Sequence, residues 1–242
     1  MRTVQGNRGR ATGGFTLVEL LVVMGIIGLL VGLLMPAVTQ AIVASRTAAT
    51  KNTISDVSVA LAAFRQDWRC YPPSDGSGAG VSGVKGAGAL SSYLMGPDGK
   101  GWGKGYQDKS PFGGEAKAQF GPYYKVDQGG TGSSSSIVDG FRPPKPILYY
   151  RYDPGRNYEV TDNATDTQSP CVNGFYDKTQ FELLVKPKDN FAQRWVREDY
   201  LLISAGADRY FGHVRENATT GKVEYVNAPA SLQCDDVCNF LR

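Results

Sequence analysis

The sequence predicts an α+β fold in which one long amino-terminal helix crosses a membrane and continues into a small head with a three- to four-stranded antiparallel sheet. Three observations carry this reading. An apolar run occupies Phe15 to Met35, with Glu19 as its one strongly polar side chain. A stripe of Ile54, Val57, Leu61, Phe64 and Trp68 follows at spacings of three and four residues, the period of one helix face. Beyond a glycine- and serine-rich stretch come four short segments of β-branched and aromatic residues bounded by turn formers.

The first 14 residues contain Arg2, Arg8 and Arg10 and no acid, so the positive-inside bias keeps them in the cytoplasm and sends the rest of the chain across. At about 1.5 Å per residue the run from Phe15 to Met35 reaches roughly 30 Å, the thickness of a bilayer core. It is longer than the core of a cleaved secretory signal, about 7–15 residues. From Ala37 to Trp68 there is no glycine or proline, so the helix is expected to run on from about Phe15 to Trp68, with Ser55, Asp56, Ser58, Arg65 and Gln66 opposite the apolar stripe. The prolines and Asp-Gly of "CYPPSDG" end it.

Residues 74–136 read as loops, with "GSGAGVSGVKGAGA", "GPDGKGWGKG" and "GGTGSSSS" as their clearest runs. The second of these is not a phosphate cradle, because Asp98 and Gly105 stand where a P-loop needs a glycine and a hydroxyl. Strands are expected at Pro146 to Asp153, Phe181 to Lys186, Asp199 to Gly206 and Lys222 to Asn227, packed against the stripe.

The 242 residues, 41% hydrophobic, suit an anchor plus one modest head. A formal charge of +3 without a clustered basic face leaves nucleic acid an unexpected partner. Cys70, Cys171, Cys234 and Cys238 all lie beyond the apolar run, where an oxidising compartment makes them disulfide candidates. Cys234 pairing with Cys238, or one of them reaching Cys171, are the favoured connections. His213 is the only histidine and no metal-ligand or triad spacing surrounds it, so catalysis is not expected. Asn163 and Asn217, each in an Asn-Ala-Thr sequon, read as loop polar residues.

The basic leader ending at Gly14, followed by "FTLVELLVVMGIIGLLVGLLMPA", resembles the class III signal of type IV pilins and type II secretion pseudopilins. The resemblance implies cleavage after Gly14 by a prepilin peptidase, methylation of the new amino terminus at Phe15, an assembly role for Glu19 and a helix-kinking role for Pro36. It divides the chain into a leader (1–14), a transmembrane helix (15–36), the periplasmic half of the long helix (37–68) and a pilin-like head (69–242). An acid inside a span is costly and usually functional. In a staggered filament the free amine of a neighbour's Phe15 would meet Glu19 in a low-dielectric core. Gly25, Gly28 and Gly32 suit close helix approach.

Further along, Tyr71-Pro72, Gly121-Pro122-Tyr123, Asp139-Gly140-Phe141 and "SAGADRYFG" resemble the major pseudopilin of type II secretion. That resemblance implies a calcium ion in the loop after the last strand, with Asp208 as a ligand and Glu216 or carbonyls completing the shell, although Arg209 stands where a glycine is expected. No other cofactor is implied. The function implied is structural: a single-pass inner-membrane subunit in membrane lipid, amino terminus cytoplasmic and head periplasmic, processed by prepilin peptidase. It would assemble with other pseudopilin subunits, on an inner-membrane platform, into a periplasmic filament for protein export. A type IV pilin or minor pilin is the alternative, and a pilin-like binding or adhesion subunit the alternative of another class.

Overall fold

Helix α1 (Leu17–Trp68) carries Pro36 inside it and ends where the sequence predicts. This computed structural model describes residues 16–78, 81, 83–96, 99–104, 110–125, 136–163, 175, 178–185, 195–212, 214–216, 223–225 and 236–240. Two compact units divide the chain after Ala44. In the first, residues 17–44 are exposed throughout, and α1 is long and apolar enough to cross a membrane.

In the second unit, α1 buries Ile54, Val57, Ala60, Leu61 and Phe64, and Trp68 is half-buried. The predicted stripe is therefore the helix face that meets the core. The partner layer is a three-stranded antiparallel sheet of β3 (Leu148–Arg151), β4 (Tyr200–Ser204) and β7 (Val237–Cys238), in the order β3-β4-β7. Leu148 pairs with Ile203, Arg151 with Tyr200, and Ile203 with Cys238. Because side chains alternate across a strand, the sheet feeds two clusters. Ile147, Tyr149, Tyr200, Leu202 and Val237 pack with the α1 stripe, while Leu148, Tyr150, Leu201, Ile203 and Cys238 pack on the other side with Phe175, Phe181, Val185 and Phe211.

The second face explains one departure from expectation. Phe181 to Lys186 was expected as a strand, but Lys178–Val185 is helix α3. Phe181 and Val185, four residues apart, are both fully buried, and Lys178 lies 3.9 Å from Glu182 one turn on. A short apolar run cannot by itself distinguish these periods. Lys186 lies outside the described residues.

Within the stretch expected as loops, helix α2 (Gly86–Met95) forms, and β1 (Trp102–Gly103) pairs with β2 (Gln119–Phe120). Ala89, Leu90, Tyr93 and Leu94 bury one face of α2 in the α1 cluster, a helical spacing hidden among glycines and serines. The segment around Lys222 to Asn227 does contain a strand, β6 (Val223–Tyr225). It pairs with β5 (Val214–Glu216) in a separate two-stranded sheet and does not join the main one.

α2 has no cap of its own, since its N-cap position is Lys85 and makes no side-chain bond. Asn163 supplies the cap from 76 residues away: its Oδ1 accepts the Ala87 N–H at 2.9 Å and its Nδ2 donates to the Tyr149 carbonyl at 2.8 Å. The residue expected as a loop polar group is thus buried and holds α2 to β3. Gly86, at φ +50°, makes room for it, since a Cβ there would sit 2.0 Å from Asn163 Oδ1.

Candidate functional site

At the amino terminus Thr16 and Glu19 cap α1 reciprocally. Glu19 Oε2 accepts the Thr16 N–H at 2.9 Å and the Thr16 hydroxyl at 2.8 Å, and Thr16 Oγ1 accepts the Glu19 N–H at 3.3 Å. This is a capping box, Thr at N-cap and Glu at N3, and it also places a carboxylate where the helix dipole favours one. Glu19 is exposed, as are Gly25, Gly28 and Gly32, at each of which an added Cβ would meet nothing within 4 Å. Pro36 has no N–H to give the carbonyl one turn back. One turn of side-chain bonding stands nearby, the Thr39 hydroxyl donating to the Met35 carbonyl at 2.6 Å. Gly14 and Phe15 lie outside the described residues.

Sequence reasoning singled out Glu19 and passed over Thr16, although Thr-x-x-Glu before an apolar run is a helix-start signature. Residues 9–35 match the family model described as the prokaryotic N-terminal methylation motif. The chain therefore carries a prepilin-type amino-terminal motif. It fits the type IV pilin and pseudopilin family in its amino-terminal motif and its long apolar helix. Such a motif implies processing by prepilin peptidase and pilin-type assembly, and the exposed apolar part of α1 is compatible with a single-pass anchor. No curated protein and no solved structure matches the chain.

In the head, three short motifs become contacts along the second half of α1 and the turn that follows it. The Tyr149 hydroxyl donates to the Pro72 carbonyl at 2.8 Å, pinning the turn that ends the helix. Tyr123 donates to Asp67 at 2.7 Å and accepts the Trp68 indole N–H at 2.9 Å. Thr50, fully buried on α1, accepts the Gly140 N–H at 3.0 Å. A Cβ on Gly140 would lie 3.1 Å from both the Ala49 Cβ and the Arg46 carbonyl, so a larger residue there would push the Asp139-Gly140-Phe141 turn and the helix apart by a few tenths of an ångström.

The loop after β4 is built around Asp139. Its side chain is fully buried and takes four donors: the Ser204 hydroxyl (2.9 Å) and Arg209 Nη1 (2.8 Å) on Oδ2, and the N–H groups of Phe141 (3.3 Å) and Lys145 (3.0 Å) on Oδ1. Asp208 lies in an exposed turn, its Oδ1 accepting the Tyr210 N–H at 2.8 Å. Among the described residues no three His, Cys, Asp or Glu side chains gather as a metal site. His213, the Glu216 side chain and Asn217 lie outside the description.

Cys70, a disulfide candidate on sequence grounds, carries a free, half-buried thiol, and burial pushes its pKa up against the opposing field of Arg151. Cys238 is buried in β7. Cys171 and Cys234 lie outside the described residues, and with them the expected pairings. Elsewhere burial raises the Asp162 carboxyl above its ordinary range, against the opposing pull of the Ser74 hydroxyl and Arg156.

Proposed function

We propose that this prepilin-type chain is a pseudopilin of a type II secretion system, processed between Gly14 and Phe15 and built into a periplasmic filament that serves protein export. The observation that carries the reading is the joining of a methylation-type amino terminus to a long helix whose second half meets Gly121-Pro122-Tyr123 and Asp139-Gly140-Phe141 and is followed by the pinned Tyr71-Pro72 turn. The same three motifs, together with "SAGADRYFG", carry the likeness to the major pseudopilin. In this reading the amino terminus is cytoplasmic, the head periplasmic, and the partners are other pseudopilin subunits, the prepilin peptidase and the inner-membrane assembly platform. The protein has no catalytic role.

The reading is tested by mass spectrometry of the chain from its native membrane together with a deletion of its gene. A mature chain beginning at Phe15 and one methyl group heavier than its sequence, with secreted proteins retained in the periplasm of the deletion strain, is expected. A chain beginning at Met1 would overturn the prepilin reading. Loss of a surface fibre with export unchanged would assign the chain to type IV pili.

A further inference from the structure

The likeness to the major pseudopilin implies calcium in the loop after β4, and the described residues of that loop do not fit it. Arg209, at φ +72°, sends its side chain back into the loop. Its Nη1 reaches the buried Asp139 carboxylate at 2.8 Å and the Gly206 carbonyl at 3.4 Å, and its Nη2 donates to the Pro143 carbonyl. The Arg209 carbonyl in turn accepts Lys145 Nζ. A calcium ion wants six to eight oxygens. Here the buried carboxylate and three backbone carbonyls already receive the guanidinium and the ammonium, and Asp208 is turned to the Tyr210 N–H. A divalent ion at this carboxylate would either sit beside two cations or displace the guanidinium and leave a largely buried arginine unpaired, and both are costly.

We infer that Arg209 is the resident cation of this loop, closing it onto Asp139 so that the head needs no calcium. A bidentate-capable guanidinium suits the role because it stays charged when buried and offers several donors in a fixed plane. The left-handed backbone at Arg209 is the second part of the argument. A residue needed only for the turn would be glycine, which adopts that φ without strain. An arginine held there has its conformation over-determined by what its side chain binds. The inference rests on the head alone and stands whether the chain builds a pseudopilus or a pilus.

The test uses the processed full-length chain in detergent micelles. Arg209→Gly relieves the backbone and removes the cation, so the two roles predict opposite signs. A Tm lowered by several degrees, or failure to accumulate folded chain, with no recovery in millimolar calcium, is expected, and Arg209→Lys should recover part of the loss. An Arg209→Gly chain as stable as the parent, or more so, would overturn the inference. The parent supplies an independent measurement: its Tm should be the same in calcium and in chelator, and calorimetric titration should show no saturable calcium binding. A calcium-dependent rise in the parent's Tm, or stoichiometric binding, would also overturn it.

Discussion

Thr16 and Glu19 hold each other across the first turn of α1, with Glu19 Oε2 receiving both the backbone N–H and the hydroxyl of Thr16. One acid therefore has two separable jobs in the proposed filament, a local cap and a charge for a neighbour's amine. Glutamine serves in a capping box as well as glutamate but carries no charge. Glu19→Gln should keep membrane levels and processing and lose filaments, as should Glu19→Leu. Thr16→Val should reduce filament yield less than either. The measurement is filament recovered per processed subunit in the membrane, and equal yield from Glu19→Gln and the parent would remove the charge from the account.

Asn163 joins α2 to β3 through two buried hydrogen bonds. Asn163→Ala orphans the Tyr149 carbonyl and uncaps α2, at a cost of about 2 kcal/mol. Asn163→Asp keeps the acceptor for Ala87 but sets a carboxylate against that carbonyl, and should cost at least as much. Chemical denaturation of the two variants checks both.

Phe64 is fully buried and meets Tyr93 and Tyr123 edge-on at 6.1 and 5.3 Å. Phe64→Ala should cost about 3–5 kcal/mol, and so leave little folded head. Val59 is on the same helix but 68% exposed, and Val59→Ser should stay within about 0.5 kcal/mol of the parent. Tm measured on both variants distinguishes a core stripe from a merely apolar helix.

The pH dependence follows from Asp162. Its folded pKa is raised above the unfolded value, so the folded state holds the proton more tightly and ionisation on folding is penalised. The penalty is absent well below about pH 4, the ordinary range for the group, and complete once pH has risen past the raised value. Asp162→Asn keeps an acceptor for Ser74 and drops the charge. Its Tm advantage over the parent should open as pH rises from acid to neutral, and a gap that is constant across that range would contradict the assignment.

How much of this was readable from the chain depends on how far apart the interacting residues lie. The α1 stripe needs only the spacing from Ile54 to Trp68, and β3 and β4 need only their own apolar content. α3 was misread because Phe181 to Lys186 has the length of a strand, and its helical burial shows only when the far face of the sheet is known. α2 was missed for a different reason: glycines and serines dilute its stripe, and its cap comes from Asn163. At the site, Thr16-x-x-Glu19 was present in the sequence and local, and went unused. The place of Arg209 depends on Asp139, seventy residues earlier, and no local pattern announces it.

The core that joins α1 to the sheet also sets an order of events during synthesis. Ile54 and Phe64 leave the ribosome before any surface that covers them, and β3, β4 and β7 follow only after long intervening stretches, with Val237 arriving last to the same cluster. Contacts so distant in sequence form slowly. For that interval the nascent chain displays a sticky helical ridge, and collisions between half-made copies compete with folding. Yield in the cell is then a race between elongation and aggregation, and the speed of translation past β4 becomes a determinant of how much head is made.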